Sequence, residues 1–381
     1  MEFRRDRLTW IAYAALAWFA YLQAAPGLVI AHLRSELHLS YSTGGLHVAA
    51  FAAGALVAGL VSARLEGAVG RRAVFWSAAL VMACGAVGLT AGRSAPITVG
   101  SVFVMGCGGG GLLVTIQAAL ADHHGARRAV ALAEANVAAS IAYVVLIGAL
   151  SLSAAVGGGW RIPLLASLVV PALLWWTNRR LAIDAPAPAP GVHGRLPALF
   201  WIAAAMLFFL TSAEWCITAW GASFVQDAAD VSADTAVALM GGYFGGVVLG
   251  RVVGSRLARR HEPSRLLALA LVLCLVGFAV LWPAASPGQA LAGLTLVGIG
   301  LGNLFPMGIS VTVSLAPDRA ALASARAVGV TSFAVLLAPL TVGALADATS
   351  LTAALAVVPV TLGLAAVALT LVRRAALTAA R

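Results

Sequence analysis

The sequence predicts an all-α polytopic membrane protein, with twelve transmembrane helices arranged as two pseudo-symmetric six-helix bundles. Three observations carry this expectation. Hydrophobic residues make up 61% of the 381-residue chain and charged residues 10%, against about 25% charged residues in a soluble domain. The apolar residues form long continuous runs without two-residue alternation, which excludes barrel strands. The arginines, finally, fall at alternate ends of those runs.

Twelve runs are long enough to span a bilayer of roughly 30 Å at 1.5 Å per helical residue. They lie at about 9–33, 43–65, 72–91, 96–120, 128–152, 160–177, 197–226, 233–257, 264–284, 287–314, 320–346 and 350–374. All 24 basic residues are Arg. Nineteen sit in loops on the side of the two termini, whereas only Arg34, Arg93 and Arg161 sit in the opposite loops; Arg251 and Arg326 fall within spans. This asymmetry predicts a multi-pass protein of the cytoplasmic (inner) membrane with both termini cytoplasmic. It also assigns the net charge of +10 to the lipid bilayer rather than to nucleic acid. Arg4, Arg5 and Arg7 before an apolar run imitate a signal peptide, but Pro26 follows the small pair Ala24-Ala25 and disfavours cleavage. The run is read as an uncleaved first helix.

A polar, Pro-rich stretch from Asn178 to Leu196 divides the spans six and six. Its alternating prolines, Pro186, Pro188 and Pro190, predict a semi-rigid extended linker. The expected domains are therefore 1–177, an N-terminal bundle; 178–196, a cytoplasmic linker; and 197–381, a C-terminal bundle. The halves repeat at an offset of roughly 190 residues. The Arg128–Ala135 segment aligns with Arg319–Arg326, Gly106 with Gly298, and Gly59 before Arg64 with Gly250 before Arg256.

Cys84, Cys107, Cys216 and Cys274 lie inside spans without CxxC spacing, so neither disulfides nor zinc is expected. His123-His124 reads as a solvated turn, and no metal or cofactor is expected. The run Gly108–Gly111 lacks the Lys-Ser/Thr of a phosphate loop and lies inside a span. Small residues there let helices approach closely. Pro26, Pro306 and Pro339 are expected to bend their spans.

Glu214 stands out. It sits in a run of about thirty mostly apolar residues with Trp215 beside it and Trp220 six residues on. A charge at that depth costs at least ~2.5 kcal/mol, so the carboxylate faces a cavity, pairs with a cation or takes up a proton. Its own span holds no Lys or Arg to serve as a fixed partner. The alternative is a permanently protonated acid hydrogen-bonded to a neighbouring helix. Counted from Pro197, Glu214 lies roughly 25 Å along its helix, in the outer half of the bilayer.

These features resemble the major facilitator superfamily over essentially the whole chain. The loop Gly59 to Arg72 resembles a degraded form of that superfamily's cytoplasmic signature, lacking its Asp, and Gly250-Arg251 to Arg256 resembles the related pattern of the second half. Glu214 with Trp220, and Gly302-Asn-Leu-Phe-Pro306, are similar to the fucose–proton symporter and rhizopine-permease-like branches, which handle sugars or polyols. The resemblance implies a central cavity lined by spans 1, 4, 7 and 10. This sequence offers there Trp18, Tyr21 and Gln23, then Gln117, then Trp215, Thr218 and Trp220, and finally Asn303, with Glu214 as the proton-coupling group. It also brings spans 5 and 8 together, which would pair Glu134 with Arg251 and set Arg326 near Glu66 as a cytoplasmic gate.

The function expected from this is secondary transport of a small polar organic solute, sugar or polyol-like, by alternating access and with proton coupling, in a monomer. No Walker motif or nucleotide domain is present to supply ATP energy, and no concentrated constellation of catalytic side chains marks an enzyme. A drug or metabolite efflux pump of the same superfamily is the alternative, followed by a transport-dead sensor.

Overall fold

The computed structural model describes residues 4–183 and 194–379; the prolines of the expected linker lie outside them. Among the described residues all regular structure is helical: α1 (Arg7–Leu37), α2 (Tyr41–Val69), α3 (Arg71–Ala91), α4 (Ala95–His124), α5 (Arg128–Ala155), α6 (Arg161–Ala166), α7 (Val169–Asn178), α8 (Ala198–Ala228), α9 (Ala233–Leu257), α10 (Pro263–Leu281), α11 (Pro287–Ser314), α12 (Ala320–Ala348), α13 (Leu351–Ala354) and α14 (Val357–Ala379). Among these residues ten stretches are long and apolar enough to cross a membrane, and one of them, Ala95–Ala155, is two helices, α4 and α5, separated by a 3-10 turn. Large apolar side chains such as Leu60, Leu152 and Trp176 point outward, the pattern expected where lipid is the solvent.

The sixth expected span is two helices rather than one, and proline is the reason. Pro171 has no N–H to give the Ser167 carbonyl, which instead accepts from Val170 (3.0 Å), three residues on. The chain tightens there and α6 ends before α7 begins. The last span breaks in the same way: Pro359 cannot serve Leu355, whose carbonyl accepts from Val358 (2.9 Å), between α13 and α14. By contrast, α1, α11 and α12 run through Pro26, Pro306 and Pro339 without interruption.

The chain divides into two compact units. The first holds α1, α2 from Leu46 onward, and α3 to α7; the second holds α8 to α14 together with Ser40–Gly45. Each is built on one glycine-bearing helix. In the first unit α4 presses Gly106 and Gly110 onto α2 at Phe51 and Ala55, and Gly108 onto α3 at Ala78 and Met82. In the second, α11 presses Gly298 and Gly302 onto α9 at Tyr243 and Val247, and Gly300 onto α10 at Ala270 and Cys274. Every one of these contacts recurs at one constant step along the chain, the step from Gly106 to Gly298. The first residues of α2 and α9, α3 and α10, α4 and α11, and α5 and α12 stand at that same step. The expected matches of Gly59 with Gly250 and of Arg128 with Arg319 are therefore each one residue out of register: Ala58 and Arg127 are the counterparts, and Gly59 faces open space.

Polar clusters close the ends of the helices. At one end of the first unit Arg161 grips Glu36 with both terminal nitrogens (3.1 and 2.5 Å) and donates from Nε to the Thr90 carbonyl (2.9 Å), and its guanidinium lies 4.4 Å over Trp160. That grip holds the Glu36 carboxyl below the ordinary carboxylate range, against the opposing effect of burial. At another end buried Arg71 bridges Glu66 (3.1 Å) and Asp122 (2.7 Å). In the second unit Asp347 accepts from the backbone N–H groups of Tyr41 (2.7 Å) and Ser42 (2.8 Å), while the Tyr41 hydroxyl donates to Asp227 (2.9 Å). Burial alone would raise Asp347, but the donors from Ser42, Tyr41 and Ser40 outweigh it and hold this carboxyl below its usual value.

Two outcomes are expected in detergent thermal unfolding. Gly106→Ala and Gly298→Ala each drive a methyl into a backbone carbonyl of the neighbouring helix, so both should lose about 1–3 kcal/mol of stability, whereas Gly59→Ala should be neutral or gain up to ~1 kcal/mol. Equal effects of all three would sink the account of the wedge. Asp347→Asn removes the charge that satisfies two orphan N–H groups at a helix N-terminus. It should cost about 1 kcal/mol near neutral pH, and the difference from wild type should fade as pH drops through the lowered Asp347 titration, because a depressed carboxyl contributes only while ionised.

Candidate functional site

A buried polar group lies in the second unit, where α9 packs against α8. Glu214 sits partly buried on α8. One turn on, the Thr218 hydroxyl donates to the Glu214 backbone carbonyl (2.9 Å) and stands 3.0 Å from the Tyr243 hydroxyl of α9. With its proton so placed, Thr218 accepts from Tyr243. Arg251 follows Tyr243 by eight residues, a little over two turns further along α9. Its charge acts on both Glu214 and Tyr243. Buried Cys274 of α10 adds a thiol to this group, within electrostatic reach of Glu214. A carboxylate and two hydroxyls are thus gathered in one apolar surround on which the charge of Arg251 acts. Such an arrangement can hold or move a proton and can hydrogen-bond a polar solute.

Sequence alone does not single out Tyr243. Its available signal is a lone hydroxyl in the glycine-rich run Gly241-Gly-Tyr-Phe-Gly-Gly246. Arg251, expected as a gate residue paired with Glu134, exerts its charge on Glu214 and Tyr243 from α9.

The other expected residues are placed as follows. Trp18 is buried and its indole N–H donates to the Ser167 hydroxyl (3.3 Å), and the Tyr21 hydroxyl donates to the Pro163 carbonyl (3.0 Å). Gln23 accepts from Tyr143 (3.2 Å), another hydroxyl that the sequence does not single out. Gln117 is exposed and Trp215 partly buried. Trp220 is 0% exposed, donates to the Pro339 carbonyl (3.0 Å) and sets its ring 5.7 Å from that of Tyr41, tilted at 57°. Asn303 donates to the Gly250 carbonyl (2.7 Å) and fills the space over Gly254, fastening α11 to α9.

Of the expected gate, Glu134 takes Arg5 as its partner (2.8 and 2.6 Å) and accepts from Tyr13 (3.0 Å). Glu66 takes Arg71, and Arg326 is exposed. Both carboxylates are held by arginines of the first unit.

The computed structure can be set beside solved ones. It resembles a bacterial homologue of the human lysosomal transporter Spinster (TM-score 0.78, 15% identity, 97% of each chain covered). It also resembles a D-xylose–proton symporter (0.79, 14%, 96% of this chain and 95% of that one) and the nucleoside transporter NupG (0.73, 12%, 97% and 99%). At such identities the likeness concerns the fold. No curated protein matches the sequence. The family model described as Major Facilitator Superfamily matches residues 9–287 and 201–380. Together the two matches run over nearly the whole chain, across both glycine-wedged units: the protein belongs to the Major Facilitator Superfamily.

Proposed function

We propose that the protein is a secondary active transporter of a small polar organic solute, sugar or polyol-like, driven by protons through Glu214. In this reading it works by alternating access in the cytoplasmic membrane, with both termini on the cytoplasmic side. The observation that carries it is the Glu214 group itself. An ionisable side chain is retained within a membrane helix at a cost that structure alone does not need. Arg251 supplies a compensating charge when the carboxylate is ionised, and Thr218 and Tyr243 supply hydroxyls beside it. Both protonation states are thus accommodated, as a proton carrier requires.

The solute class rests on the hydrogen-bonding character of the same group and on Trp215 beside it, whose indole face suits the C–H surface of a sugar. The solved relatives that act on a pentose and on nucleosides support the same class. The branch similar to fucose–proton symporters and rhizopine permeases belongs to this reading.

The test is uptake into proteoliposomes under an imposed pH difference, with a panel of sugars, polyols and cationic dyes. One pH unit is worth ~1.4 kcal/mol per proton, or about tenfold accumulation of a co-transported solute. Wild type should approach that ratio for one sugar or polyol. Glu214→Gln should stay near unity while still exchanging labelled for unlabelled solute. A Glu214→Gln protein that accumulates solute as wild type does would refute proton coupling here, and uptake of the dyes alone would move the assignment to efflux.

A further inference from the structure

The segment that precedes α1 is fastened to the rest of the first unit by a cluster with two histidines in it. Asp6 caps α1, its Oδ1 accepting from the Thr9 N–H (3.0 Å) and hydroxyl (2.7 Å), while its Oδ2 accepts from His123 Nε2 (2.7 Å) at the end of α4. Because the Thr9 proton goes to Asp6, the Thr9 oxygen accepts from His124 Nε2 (2.9 Å). Arg5 binds both oxygens of Glu134 on α5, one of which also accepts from Tyr13. Arg7 donates to Asn178 (2.6 Å) and to the Thr177 carbonyl at the end of α7. Three consecutive residues, Arg5, Asp6 and Arg7, thereby reach three different helices. His123-His124 is not the solvated turn expected from sequence but the hub of this contact.

We propose that this cluster is an acid-sensitive clasp, which holds the N-terminal segment on its unit at neutral pH and releases it in mild acid. The reason is one of charge. The two imidazoles stand edge to face with centroids 4.9 Å apart. All four carboxylate oxygens of Asp6 and Glu134 already accept: two bonds from Thr9, one from His123, two from Arg5 and one from Tyr13. His123 stands against Asp6, and a charge gained by His124 is set, partly buried, beside the His123 ring. Asp122, the next acid on α4, faces Arg71 of α3, and Arg127 and Arg128 in the following turn are exposed. No arginine in the clasp can shed its charge to compensate.

The direction follows from the surroundings of His124. Burial, and then the neighbouring His123, press its titration below the ordinary imidazole value, against the weaker pull of Asp6 and Glu134. A group depressed in this way contributes stability that is fully present above its ordinary value, about 6.5. That stability is lost as pH falls through the lowered value. Asp6 is also held low: the Thr9 bonds and His123 outweigh its burial. Its own loss therefore comes only in far stronger acid, and the window just below pH ~6.5 belongs to His124.

Hydrogen exchange of the purified full-length chain, corrected for intrinsic rates, tests this. In wild type the protection of peptides covering the start of α1 should fall several-fold between about pH 7.5 and 5.5, the interval that brackets an imidazole titration, while α9 and α11 stay protected. His124→Gln keeps a donor for Thr9 and cannot charge, so its protection should be flat across that range. His124→Arg should leave the segment exposed throughout, although the rest of the unit stays protected. Flat protection in wild type, or an equal fall in His124→Gln, would overturn the clasp.

Discussion

Everything in each unit depends on how closely helices approach at the glycines of α4 and α11. In lipid no hydrophobic force draws one helix to another, so contact must come from dispersion at short range and from matched shapes. Gly106 and Gly298 bring their helices so near the carbonyls of Phe51 and Tyr243 that no larger residue fits. This fixes α2 and α3 around α4, and α9 and α10 around α11. The side chains that carry chemistry are then set by register: Tyr243, whose carbonyl meets Gly298, holds its hydroxyl on Thr218.

The repeat preserves this wedge and little of the polar chemistry. Arg71, the hub of Glu66 and Asp122 in the first unit, has Pro263 as its counterpart at the step that joins Gly106 to Gly298. Glu134, at the centre of the clasp, corresponds to Arg326. Conversely, Arg251 corresponds to Gly59, which faces open space. Shape has been kept in common where backbones touch, and charge has been free to diverge, so each unit has its own electrostatics on a shared frame.

Most of the fold is legible in the sequence because its signals are long and redundant: apolar runs, arginine asymmetry and glycine spacing all point the same way. The helix breaks before Pro171 and Pro359 escape such a reading because a missing N–H acts locally inside a run that composition takes as continuous. Glu214 is legible because one charge in an apolar helix has no bland cost. Its neighbour Tyr243 is not, since it comes to Thr218 only through the packing of α9 on α8. Long-range polar pairs such as Arg5 with Glu134 and Asp347 with the start of α2 have no linear signature at all. The aromatics Trp18 and Trp220, conspicuous in sequence, have their N–H groups spent on Ser167 and Pro339.

The wedges also bear on how the chain assembles. In each unit the glycine-bearing helix clasps the two helices made immediately before it, α2 and α3 around α4, and α9 and α10 around α11. A triplet of sequence neighbours can therefore lock as soon as its third member emerges, with short loops and little closure entropy to overcome. The packing of α1 on α5, and of α8 on α12, spans three intervening helices and has to wait. Synthesis from the N-terminus would then build each unit from the middle outward, its first helix fully seated only when its fifth arrives.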